Sequence, residues 1–292
     1  MLLGLACNSF GDSGFAKYWG ENSFKKMREF GFSAVDFGIP GKFYTSFYKS
    51  DAETRKKFLL HEKALVEEAE LYIHQAHAPC LSLSRPLSEE ERVGIINDIK
   101  VSIESCPILG CEFLVVHPFM PNGWEGRGKP MAEDNFNKNV EYLRSLSDYA
   151  KEHGVTLCLE NMPCLGFSIS TPEEILEVVK AVDRENVKMC FDTGHVTAFS
   201  RFMKVGDEIR KCGDAIKVLH IHDNYGGADQ HIFPGLGMTD WTDVMAALKE
   251  INFDGVFSLE LNFPDKFSES IFENFCRLVS KMTHDIVNGL LQ

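Results

Sequence analysis

Six successive apolar runs in this 292-residue chain end in a side chain that can carry a proton or bind a metal. They are Ile73-His74-Gln75-Ala76-His77, Leu114-Val115-Val116-His117, Leu157-Cys158-Leu159-Glu160, Met189-Cys190-Phe191-Asp192, Lys217-Val218-Leu219-His220 and Phe257-Ser258-Leu259-Glu260. A single ending of this kind is commonly a helix cap or a rim residue. Six in order point to one shared site. Carboxylates gathered that closely repel one another and become partly protonated unless a cation neutralises them. Imidazole mixed with carboxylate, without paired thiolates, suits zinc or manganese best and leaves cobalt and iron open.

Further candidate ligands follow the runs. His195 lies three residues after Asp192 in Asp192-Thr193-Gly194-His195, where the glycine is expected to let the chain turn back. His222 shares a face with His220 if that strand continues. Asp229-Gln230-His231 has the same two-residue spacing, in a loop opened by Tyr225-Gly226-Gly227-Ala228. His61, His153 and His284 fall in helical patterns and His74 on the strand face opposite His77, so none of these four is taken as a ligand.

Side chains so far apart in sequence need a scaffold that brings strand ends together. Eight short β-rich runs are expected at Leu2-Cys7, Ala34-Phe37, Leu71-Ala76, Phe113-Val116, Thr156-Leu159, Lys188-Phe191, Ile216-His220 and Val256-Leu261. Helical periodicity falls between and after them at 22–30, 51–69, 88–109, 132–153, 172–183, 200–213, 240–250 and 266–288. Thr171-Pro172-Glu173-Glu174 supplies a cap, a first-turn proline and early acids. Eight βα units close a parallel sheet without an edge, so the chain reads as α/β, one (β/α)8 TIM-barrel domain over 1–292. The runner-up is a doubly wound open sheet. In a barrel the run ends would form the catalytic face.

The charge balance of 30 basic against 43 acidic residues gives a net −13, which repels nucleic acid and anionic membrane surfaces. Nine scattered cysteines with no C-x-x-C pair read as reduced, which gives a cytoplasmic expectation. No apolar run is long enough for a transmembrane helix, and a homo-oligomer remains open.

His77-Ala78-Pro79, Val116-His117-Pro118, Leu159-Glu160-Asn161, Phe191-Asp192-Thr193-Gly194-His195, His220-Ile221-His222-Asp223-Asn224, Asp229-Gln230-His231 and Leu259-Glu260-Leu261 together resemble the xylose isomerase-like TIM-barrel superfamily, which contains sugar isomerases, sugar epimerases and endonuclease IV. For the sugar enzymes the resemblance implies one divalent ion on Glu160, Asp192, His220 and Glu260, with Glu160 and Glu260 also exchanging substrate protons. For endonuclease IV it implies a three-zinc cluster that adds His77, His117, His195, Asp229 and His231. The short, uncharged Asn224–Ala228 segment and the acidic balance depart from the nuclease.

The expectation is therefore a divalent-metal-dependent isomerase or epimerase acting on a ketose or related sugar through a metal-stabilised enediolate. The alternatives are a zinc phosphodiesterase and a non-catalytic sugar-binding barrel. His222, Trp124 and Arg127 are assigned to substrate, while the seventh-strand ligand stays open between His220 and His222. The aromatic residues Trp19, Phe47 and Tyr48 and the basic Arg85 are weaker candidates for gripping substrate.

Overall fold

The computed structural model describes residues 1–7, 14–39, 45–79, 85–123, 130–163, 168–198, 202–263 and 266–290. Its strands are β1 (Leu3–Cys7), β2 (Ala34–Gly38), β3 (Tyr72–His77), β4 (Phe113–Val116), β5 (Thr156–Glu160), β6 (Val187–Asp192), β7 (Ile216–His220) and β8 (Phe257–Leu259). Its helices are α1 (Gly14–Trp19), α2 (Ser23–Glu29), α3 (Thr45–Lys49), α4 (Ala52–Glu68), α5 (Glu89–Leu109), α6 (Pro130–Glu152), α7 (Pro172–Val182), α8 (Thr193–Ala198), α9 (Val205–Cys212), α10 (Trp241–Glu250) and α11 (Glu269–Val287).

All eight strands join one parallel sheet in the order β7-β6-β5-β4-β3-β2-β1-β8. A bridge between Ile221 and Leu259 returns β7 to β8, with Ile221 N donating to Ser258 O at 2.8 Å and Glu260 N to Ile221 O at 3.0 Å. The expected TIM barrel is the observed architecture. Among the described residues no helix is long and apolar enough to cross a membrane.

The helix starts are chemically marked. Ser88 and Thr171 form reciprocal capping boxes with Glu91 and Glu174, while Asp51, Asp240 and Ser268 cap α4, α10 and α11. Three short helices, α1, α3 and α8, fall outside the expected segments, because five or six residues are too few for periodicity to register.

Strand alternation sorts the residues into two layers. Val35, Phe37, Leu114, Val116, Leu157, Leu159, Phe191, Leu219 and Leu259 are buried in the main apolar core with helix residues such as Ile103, Ile175 and Phe272, each worth roughly 1.5–3 kcal/mol when fully buried. Val115, Cys158, Cys190 and Val218 form a separate small cluster. Each precedes a candidate ligand by two residues (His117, Glu160, Asp192 and His220), so these four side chains share its face of the sheet. Register shifts between Val35 and Asp36 on β2, and between Met189 and Cys190 on β6, pair Asp36 with Gln75 and Asp192 with His220.

Candidate metal centre

The strand ends do converge. Glu160, only 1% exposed, is the hub: its Oε1 lies 2.7 Å from His220 Nδ1, and its Oε2 lies 3.0 Å from His117 Nε2 and 3.3 Å from His77 Nε2. His220 Nδ1 also lies 3.3 Å from Glu260 Oε2 and 3.9 Å from Asp192 Oδ2. Glu260 is 28% exposed and sits at the open side of this group. Ligand atoms of Glu160, Asp192, His220 and Glu260 all fall within 4.8 Å of one another, and so do those of His77, Glu160 and His220.

A second group adjoins the first. His195, His222, Asp229 and His231 bring their ligand atoms within the same 4.8 Å spread. Asp229 Oδ2 is 3.1 Å from His231 Nε2 and 3.5 Å from His195 Nε2, and His222 Nε2 is 3.0 Å from Asp192 Oδ1. Asp192 touches both groups, and His195 Nδ1 lies 3.6 Å from Glu160. His222 therefore stands among candidate ligands, stacked at 3.9 Å on His231, while His220 occupies the first group.

Local structure explains these positions. Asp192 is followed directly by α8, and its Oδ1 accepts from His195 N at 2.7 Å, so one carboxylate both caps the helix and faces the site. Gly194 is helical rather than the point of a turn, contrary to the sequence expectation. Its lack of a side chain is needed because a Cβ there would overlap the His222 ring. Thr193 Oγ1 donates to His222 O at 2.8 Å and accepts from His222 N at 3.1 Å, which holds the stretch after β7 against β6. Asn161 bridges β5 to β6 by accepting from Asp192 N and donating to Asp192 O.

The loop carrying Asp229 and His231 is organised by Asp223, which is fully buried. Its carboxylate accepts from the backbone of Asn224, Gly235, Gly237 and Thr239, from the Thr239 hydroxyl and from the Trp241 indole. Asn224 Oδ1 takes Gln230 N, and paired backbone bonds join Asp223 to Ile232. His231 adopts φ +48°, an uncommon left-handed conformation for a residue with a side chain, and its Nδ1 donates to Glu260 O at 3.1 Å.

Electrostatics bind the cluster. Burial pushes the Glu160 carboxyl up, but His220, His117 and His77 outweigh it and hold the group well below the usual carboxylate range. Burial would lower His195 and His231; Asp192 and Asp229 respectively lead the carboxylates that instead raise them to about 10 and about 9. Burial likewise opposes ionisation of Asp229, and His195 and His231 overcome it.

The donors fit a divalent cation. All are carboxylate oxygens or imidazole nitrogens, and the buried atoms Asp229 Oδ1 and His222 Nδ1 take no hydrogen bond. His77, His195 and His231 each have Nδ1 on a backbone carbonyl (Ala78, Asn161 and Glu260), which leaves Nε2 turned to a carboxylate.

Two buried residues of the network escaped the sequence reading. Asp36 on β2 accepts from His220 Nε2 at 2.8 Å and from Gln75 Nε2 at 2.9 Å. The available signal was an acid inside the apolar run Ala34-Val35-Asp36-Phe37, since a buried charge demands a partner. Other expectations resolve differently. Trp124 and Arg127 lie outside the described residues. Trp19 and Phe47 are buried in the apolar core, Tyr48 bonds Ser102, and Arg85 is held by both oxygens of Glu91. Packing and pairing account for these four.

The sequence model of the xylose isomerase-like TIM-barrel family matches residues 24–273. An uncharacterized Methanocaldococcus jannaschii protein, MJ1311, is 31% identical over 266 residues, covering 89% of this chain and 86% of that one. The inosose isomerase of Bacillus subtilis is 29% identical over 204 residues, covering 66% and 69%. Among solved structures, a D-tagatose 3-epimerase-like protein superposes over 100% of both chains with a TM-score of 0.75 at 26% identity. The IOLI protein with a bound zinc atom does so over 100% of both chains with a TM-score of 0.76 at 22% identity.

Proposed function

The chain belongs to the xylose isomerase-like TIM-barrel family, and on that footing we propose that it is a divalent-metal-dependent isomerase or epimerase of a ketose or related sugar derivative. The observation that carries this reading is the convergence of Glu160, Asp192, His220 and Glu260, with one glutamate buried at the floor and the other partly exposed at the mouth. Inosose isomerase, a relative at 29% identity, supports the same reaction class.

Glu160, Asp192, His220 and Glu260 would hold the cation, which when bound would supply positive charge to stabilise a developing enediolate of the substrate. Glu260 faces incoming substrate and is placed to take a proton from the carbon that bears the hydroxyl beside the carbonyl. Glu160 is the second carboxylate within reach. When it returns a proton to the opposite face of the same carbon the result is epimerisation; when one carboxylate carries the proton to the neighbouring carbon the result is isomerisation. Trp124 and Arg127 are assigned to substrate; His222, first assigned to substrate, is placed instead with His195, Asp229 and His231 in the adjoining group, and zinc or manganese is the expected ion.

The test is metal analysis of protein purified without chelators, followed on the same sample by solvent-deuterium exchange into a panel of ketoses and inososes. Exchange is expected with at least one sugar. Glu160→Gln and Glu260→Gln should each reduce turnover by about 100-fold or more, the scale of a lost general acid or base, while circular dichroism stays that of the parent. Wild-type turnover in both variants removes the mechanism.

A second reading, a zinc phosphodiesterase, draws on the adjoining His195, His222, Asp229 and His231 group, which widens the ligand set beyond the needs of one ion. Phosphodiester cleavage by protein loaded with two or three zinc ions, without deuterium exchange, would favour it. The net charge of −13 weighs against a nucleic-acid substrate.

A further inference from the structure

We infer that Asp36 is the positioning residue that selects His220, rather than His222, as the seventh-strand metal ligand and fixes which of its nitrogens faces the cation. This inference rests on the metal-dependent reading and adds to it a residue outside the ligand set.

The geometry is specific. Asp36 is 2% exposed on β2 and reaches across the barrel interior to His220 on β7, which is fully buried. The contact joins Asp36 Oδ2 to His220 Nε2 at 2.8 Å, and Gln75 Nε2 donates to the same oxygen at 2.9 Å. An ionised carboxylate only accepts hydrogen bonds, so this contact calls for the His220 proton on Nε2. Nδ1, the atom directed at Glu160, Glu260 and Asp192, is then the nitrogen whose proton a bound cation would replace. A carboxylate behind a ligating imidazole orients the ring and raises its basicity toward a metal.

His222 has no such brace. Its Nε2 meets Asp192, and its buried Nδ1 takes no hydrogen bond. The neighbouring His77, His195 and His231 are oriented by neutral backbone carbonyls. Of these five imidazoles, His220 is the one backed by a carboxylate from outside the two ligand groups. The register shift between Val35 and Asp36 makes this geometry, because it sets Gln75 opposite Asp36.

The experiment compares wild type, Asp36→Asn and Gln75→Met, all purified metal-free and titrated with zinc against a chromophoric chelator. Asp36→Asn preserves shape and removes the charge, and it should weaken the tightest zinc site by about 10–100-fold, the usual effect of losing such a partner. Gln75→Met removes the donor that steadies Asp36 and should weaken the site in the same direction by a smaller factor. In parallel, nitrogen-15 spectra of the zinc-loaded proteins should show His220 protonated on Nε2 in wild type and no longer uniformly so in Asp36→Asn. Metal-free circular dichroism and melting distinguish positioning from folding, since Gln75→Met still reports if Asp36→Asn is poorly folded. Wild-type zinc affinity together with an unchanged His220 tautomer in both variants overturns the inference while leaving the metal centre standing. A wild type that binds no divalent cation overturns the metal-dependent reading, and the inference with it.

Discussion

The chemistry of this barrel turns on imidazoles pressed against carboxylates. Without a cation, the charge they share has to be balanced by protons, which is why His195 rises to about 10 and His231 to about 9 despite burial. A histidine raised from its ordinary 6.5 stabilises the fold fully below about pH 6.5 and loses that contribution as pH climbs through 9 to 10. Asp229, lowered from 3.8, contributes above about pH 4 and loses its share on acidification. A metal must displace the histidine protons to bind. Zinc uptake near pH 7 is therefore expected to release protons, and apparent affinity should rise with pH up to the 9–10 range. Calorimetry in buffers of different ionisation enthalpy measures the released protons directly, and buffer-independent heats would contradict this account. The run-end residues were legible in the sequence because each terminates an apolar strand. Asp36 was not, because its importance lies in a partner 184 residues away.

Among the structural elements, the loop after β7 depends on a residue that does no chemistry. Asp223 gathers backbone donors from Asn224 to Thr239 and the Trp241 indole, so a loop with Gly226 and Gly227 at φ +85° and Gly235 at φ +92° acquires one geometry. Gly237 is required there because a Cβ would overlap the Asp223 carboxylate. Asp223→Ala should destabilise the protein by on the order of 3 kcal/mol, since each buried donor left unpaired costs roughly 1–3 kcal/mol. Urea denaturation reads this as a lower midpoint at unchanged slope. A midpoint equal to wild type would show that the loop has other supports. The sequence contained Asp223-Asn224 and the glycines, yet nothing in their spacing reveals that one carboxylate collects donors from up to eighteen residues away. In the same way α8 went unforeseen. A six-residue helix has no periodicity to read, and Asp192 looks like a strand end until its capping bond to His195 is seen.

For the molecule as a whole, the candidate ligands and their neighbour His117 draw on β3, β5, β6, β7, α8 and the segments after β4, β7 and β8, and a cation on Glu160, Asp192, His220 and Glu260 would tie β5, β6, β7 and the end of β8 together. A ligand that binds only the folded state stabilises it by about 2.7 kcal/mol at a concentration 100 times its Kd. Chelator treatment should accordingly lower Tm by several degrees, and excess zinc or manganese should restore it reversibly. Identical melting curves for stripped and reloaded protein would mean that ions bind outside this network. The net charge of −13 adds to the pull on small cations while opposing polyanions, which matches a small neutral substrate better than a nucleic acid.

The sequence by itself determined the βα alternation, the eight strands and the row of acids and imidazoles at their ends, because strand periodicity and helix caps are local properties of the chain. Only the tertiary structure decided that these side chains divide into two adjoining groups, that His220 and His222 serve different ones, and that Asp36 and Gln75 stand behind His220. Those facts depend on register shifts and on contacts across the barrel interior, and such distances exist only once the ring is closed.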